Sequence, residues 1–86
     1  MPNFEALVEV QLRPGISDPQ GATIERSLPA LGFSGIRAVR AGKAFRFQLE
    51  AMDSGEAEER AVALSSRLLA NPVIEQASVS VGPAPS

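Results

Sequence analysis

The chain has no cysteine, no histidine, no tyrosine and no tryptophan. Without cysteine there is no disulfide framework and no thiolate metal site, and the chain suits a reducing compartment. Without histidine the commonest general base is missing, and with cysteine also gone the chain lacks the strongest covalent nucleophile. Self-sufficient catalysis is therefore not expected. No apolar run is long enough to suggest a membrane span, and Met1 to Phe4 lead into an acidic alternating pattern unlike a basic, apolar export signal. Charge of one sign is also lacking: eight Lys and Arg against ten Asp and Glu leave a net charge of -2, with no long-range attraction for nucleic acid or anionic lipid. The expectation is a cytoplasmic chain with no nucleic-acid and no membrane partner.

What is present fits a single small domain. At 86 residues with 44% apolar content the chain can fold, but such a domain buries only roughly 60–65% of its unfolded surface. Its stability margin is thin, which invites a protein partner. The reading assigns residues 1–81 to one α+β domain and 82–86, Gly-Pro-Ala-Pro-Ser, to a flexible tail.

The most informative stretch runs from Leu12 to Gly21. Pro14-Gly15 signals a turn, Asp18 is a helix N-cap and Pro19 suits the first helical position, so one joint stops a strand and starts a helix. Before it, Phe4, Ala6, Val8, Val10 and Leu12 alternate with polar residues, the pattern of a half-buried strand, with Leu7 as the exception. After it, Ile24, Leu28 and Leu31 fall at helical spacing; Pro29 should loosen the last turn and Gly32 should end it in a left-handed conformation. Gly35 to Gly42 is read as a second strand, turning at Gly42-Lys43 into a third. That third strand carries Phe45, Phe47, Leu49 and Ala51 on one face. Asp53 or Ser54 caps a helix from about Gly55 to Ala70, Asn71-Pro72 stops it, and a last strand follows through Val73, Ala77, Val79 and Val81, interrupted by Glu75. The order β-α-β-β-α-β predicts a ferredoxin-like fold, an antiparallel four-stranded sheet with both helices on one face.

Three constellations invite chemistry. Gly42 to Phe47 places two aromatics beside basic residues, where RNA-recognition domains of this layout stack bases, but Phe45 and Phe47 continue one apolar face and read as core. Arg13 and Asn71 occupy loop positions that could grip an anion, yet no glycine-rich cradle accompanies them and both read mainly as turn or cap residues. Glu56, Glu58 and Glu59 lack the spacing of a calcium loop and suit the positive end of a helix.

A resemblance takes the reading further. Arg13-Pro14-Gly15 with Asp18-Pro19-Gln20-Gly21, Leu31-Gly32-Phe33, Val39-Arg40-Ala41-Gly42-Lys43, Ala57-Glu58-Glu59-Arg60 and Leu68 to Glu75 together resemble the PurS family, the small subunit of phosphoribosylformylglycinamidine synthase. The likeness covers nearly the whole chain. It departs at Ala41 and Ala44, where larger residues are expected, at Pro29 and in the tail. The resemblance implies a non-catalytic, homodimeric or homotetrameric subunit in purine biosynthesis. Such a subunit bridges a large synthetase subunit and a glutaminase subunit and supports ammonia transfer. It also implies that the complex uses ATP and Mg while this subunit binds no cofactor and no metal. Arg13, Asp18, Gln20, Arg40, Lys43 and Asn71, all in or beside turns, become the candidate partner-interface residues. Without the resemblance, a ferredoxin-like regulatory or RNA-binding module is the alternative.

Overall fold

The alternation from Phe4 to Leu12 builds the central strand of the molecule. In the computed structural model, which describes residues 1–85, β1 (Asn3–Leu12) lies between β2 (Gly42–Glu50) and β3 (Glu75–Pro83) in an antiparallel sheet ordered β2-β1-β3. Val8 stands opposite Phe45 on one side and Val79 on the other, and Ala6 opposite Phe47 and Val81. Residues opposite one another share a face, so this register gathers the apolar side chains of all three strands on one inner face. The outer face carries Glu5, Glu9, Gln11, Arg46, Gln48 and Ser78, with Leu7 half-buried among them.

Helix α2 (Ser54–Leu64) lies across β1 and β3 and buries Ala57 and Ala61. Its start is capped reciprocally: Asp53 accepts the Glu56 N–H at 2.8 Å and the Glu56 carboxylate accepts the Met52 N–H at 3.2 Å. The predicted helix to Ala70 continues as a π turn, Ser65–Leu69, closed by the Ala70 N–H on the Ser65 carbonyl at 2.8 Å. Helix α1 (Pro19–Ser27) passes into a 3-10 turn at Pro29–Leu31, and Gly32 ends it at φ 89°, as Pro29 and Gly32 predict.

The α+β architecture of an antiparallel sheet with two helices is as expected, with one strand fewer. Gly35 to Ala41 is not a strand, and β2 itself begins at Gly42. Gly35 and Ala38 take positive φ, 77° and 60°, which breaks extended backbone. The N–H groups of Val39 and Ala41 are taken by the carboxylates of Glu25 and Asp18, each at 2.9 Å, so no strand ladder claims them. The same bonds hold α1 against this segment. Gly21 in α1 comes so close to the Val39 carbonyl that a Cβ there would stand 2.5 Å from its oxygen. The tail begins later than expected, because Gly82 and Pro83 extend β3 opposite Glu5 and Phe4. Ser86, the end of that expected tail, lies outside the described residues.

The core is small. Among the described residues its fully buried apolar side chains are Ala6, Val8, Val10, Ala51, Ala57 and Ala61, none larger than valine. The radius of gyration is 16.5 Å, against about 12 Å for a compact chain of this length. Leu31, Phe33 and Ile36, which follow α1, stay exposed.

Candidate functional site

The turn after β1, the start of α1, the segment before β2 and the turn before β3 meet at one end of the sheet. Asp18 is the organiser of this end. Its Oδ1 accepts the Gly21 N–H at 2.9 Å as the helix cap, and its Oδ2 accepts the Ala41 N–H at 2.9 Å, fastening the approach to β2. The Arg40 guanidinium lies 3.8 Å from Oδ2 and reaches the carbonyls of Leu12 and Arg13 at 3.5 Å. The Gly21 and Ala41 amides, in that order, and then Arg40 hold the Asp18 carboxyl below the usual carboxylate range, outweighing partial desolvation.

Arg13 works on the opposite turn. Its backbone N–H donates to Ile74 O at 2.8 Å, and its Nε and a terminal nitrogen both donate to Pro72 O, at 3.1 and 2.9 Å. Asn71 shapes that turn by accepting the Val73 N–H on Oδ1 at 3.1 Å. The Asn71 N–H donates to Glu75 Oε1 at 2.7 Å, while Glu75 Oε2 lies 3.7 Å from Lys43 Nζ. Lys43 in turn sits 5.8 Å from the Phe45 ring centre. Gln20, exposed on the first turn of α1, joins Asp18, Lys43 and Glu75 around an open cleft of about 220 Å³. All six residues singled out in the sequence therefore gather in one place, although Arg13 and Pro72 are 59 positions apart.

Glu75 and Gly21 are the members that sequence reasoning did not single out. Glu75 leaves a trace, as the one acid interrupting the apolar face of the last strand. Gly21 leaves none, because its need for space depends on Val39, which no local pattern brings near.

Chemically this is a recognition surface. The carboxylates lie inside and the cations outside: the Asp18 and Glu75 side chains are 6% and 16% exposed, those of Arg40 and Lys43 42% and 51%. Among the described residues no cluster of acids is arranged to hold a metal ion, and no helix is long and apolar enough to cross a membrane. Phe45 and Phe47 are half-buried on the inner face of the sheet, beside Ala6 and Val8. That is a packing position, in keeping with the core reading over the RNA-stacking one.

The comparisons with known proteins agree with one another. Residues 5–83 match the family model PurS, described as phosphoribosylformylglycinamidine (FGAM) synthase. The PurS subunit of phosphoribosylformylglycinamidine synthase from Mycobacterium leprae is 47% identical over 75 residues, 87% of this chain and 91% of that protein. The crystal structure of Methanocaldococcus jannaschii PurS, one of the subunits of formylglycinamide ribonucleotide amidotransferase in the purine biosynthetic pathway, superposes with a TM-score of 0.84. The two chains are 29% identical over 95% of this chain and 99% of that one. A chain in the structure of PurLQS from Thermotoga maritima superposes with a TM-score of 0.87 at 34% identity, over 95% of this chain and all of that one. Sequence and three-dimensional shape thus place this chain in the PurS family of phosphoribosylformylglycinamidine synthase subunits.

Proposed function

We propose that this chain is the small subunit that joins the synthetase and glutaminase subunits of phosphoribosylformylglycinamidine synthase and supports ammonia transfer between them. It acts as a homodimer or homotetramer in the cytoplasm. The carrying observation is the superposition on a chain of the PurLQS structure over that chain's whole length, which supports association with the other subunits of such a complex. ATP and Mg serve the assembled complex, and this subunit binds neither. Its lack of cysteine suits that division of labour, since the hydrolysis of glutamine is left to a subunit with its own nucleophile.

Within this reading Arg13, Asp18, Gln20, Arg40, Lys43 and Asn71 form the surface that meets a partner subunit. Asp18 and Asn71 shape it from within. Arg13, Arg40 and Lys43 present charge outward, and Gln20 stands beside them. The test is reconstitution with purified synthetase and glutaminase subunits. Glutamine-dependent product formation should require this chain, and activity with free ammonia should require it much less. The double variant Arg13→Ala with Lys43→Ala should keep its oligomeric state and lose most glutamine-dependent activity. Full glutamine-dependent activity in that variant would remove both side chains from the docking surface.

A further inference from the structure

The polar bonds divide the chain into two bodies. One is the sheet with α2 and the turn before β3, to which Arg13 is tied through Ile74 and Pro72. The other is a lobe, 16–41, made of α1, its 3-10 turn and the segment that returns to β2. The lobe is fastened to itself: Asp18 takes the Gly21 and Ala41 amides, Glu25 takes the Val39 amide, and Gly21 lies hard against the Val39 carbonyl. Between the bodies little is shared. Gly21 is the one buried residue of α1, and α2, not α1, is the helix that lies across the strands. Among the described residues, two sets of hydrogen bonds join lobe to sheet. The Ile16 N–H donates to the Arg13 carbonyl at 3.1 Å within the turn, and the Arg40 guanidinium reaches the Leu12 and Arg13 carbonyls, both at 3.5 Å, the outer limit of such a bond.

We propose that the lobe turns on the sheet as one body, with Gly15 and the Ala41–Gly42 junction as its hinge and Arg40 as the clasp that sets its angle. Gly15 holds a φ of 87° with open space where a Cβ would stand, so this crossing is unhindered. The other crossing has a sharp sheet-side end, because Gly42 lies so close to β1 that a Cβ would stand 2.7 Å from the Val10 carbonyl oxygen. The cleft straddles the hinge. Asp18 and Gln20 form its lobe wall, Leu12, Lys43 and Glu75 its sheet wall, and among the described residues neither Asp18 nor Gln20 bonds across. Turning the lobe therefore changes the width of the cleft. Arg40 resists, gripping Asp18 on one body and the end of β1 on the other. An incoming carboxylate would outbid two long carbonyl bonds for the guanidinium, since a charged pair is the stronger partner. An acidic side chain of a docking subunit thus releases the clasp and lets the cleft take the width that subunit needs. That last step rests on the docking reading above; the hinge and the clasp do not.

Because the chain has no cysteine, paired nitroxide labels go only where cysteines are introduced, and dilution into excess unlabelled chain confines the distances to one molecule. Ala30→Cys with Ser78→Cys, both exposed, reads lobe against sheet; Ser17→Cys with Ala30→Cys reads the lobe alone. Pulsed dipolar spectroscopy should give a broader distance distribution for the first pair than for the second. Arg40→Gln, checked for a folded sheet by circular dichroism, should raise the displaced population of the first pair about fivefold, as expected for one lost hydrogen bond, and leave the second pair unchanged. A first pair as narrow as the second, in parent and variant alike, would overturn the hinge. Broadening of both pairs together would show the lobe unravelling and overturn it equally. In the complex reconstituted with synthetase and glutaminase subunits, the first pair should narrow to one distance. A lobe that moves in the free chain and keeps the same distribution in an active complex would overturn the release by docking and leave the hinge standing.

Discussion

Asp18 concentrates two structural jobs in one carboxylate, and its protonation state should be readable in stability. Its folded-state pKa lies below the ordinary value because two backbone amides and Arg40 favour the anion. The stabilisation is therefore complete above the unfolded-state pKa and is lost as pH falls through the folded one. Asp18→Asn should melt below the parent between pH 5 and 8, and the gap should narrow as pH falls below about 4. A gap of unchanged size at pH 3 would show that charge contributes nothing at the joint. Gly21 makes the complementary point about space. Replacing a helical glycine by alanine ordinarily gains about 0.5–1 kcal/mol. At Gly21 the new Cβ would overlap the Val39 carbonyl, so Gly21→Ala should instead destabilise by about 1–3 kcal/mol, the usual penalty for overpacking. Gly55→Ala, whose Cβ would meet only the Asp53 side chain at 3.4 Å, should be neutral or slightly stabilising. Thermal melts of the two variants side by side check both, and equal melting temperatures would contradict the close approach.

Among the elements, legibility followed the range of the interaction. β1, α2 and their caps are written in local signals: alternation, Asp53 three residues before Glu56, Pro29 and Gly32 at the end of α1. The stretch before β2 departs from its strand-like pattern because its fate is decided elsewhere. Ile36, Ala38, Val39 and Ala41 look passable for a strand, but Asp18 and Glu25, 23 and 14 positions earlier, take its N–H groups first. The candidate site shows the same division. The turn and cap residues declared themselves one by one, whereas their convergence depends on sheet register, and the Glu75 link between Asn71 and Lys43 is visible only once β1 has aligned β2 and β3. The charge of Glu75 on an apolar face was the trace, and nothing local said which cation would answer it.

At the scale of the molecule, a core no larger than alanine and valine cannot hold an elongated chain far from unfolding. Association should supply the rest, so the melting temperature should rise with protein concentration across a hundredfold range, as linkage requires of a chain folded only in company. A melting temperature independent of concentration would mean that the isolated chain is sufficient.

The strand order β2-β1-β3 also sets a timetable. The middle strand is the first to be synthesised and its second neighbour is the last, so the sheet cannot close until residue 83 has been made. At about 5–20 residues per second, β1 waits about 4–14 seconds for β3. During that interval Ala6, Val8 and Val10 have at most one flank covered. Until β2 is complete at Glu50 β1 has no strand to pair with, and from then until residue 83 the first two strands can form only an incomplete sheet.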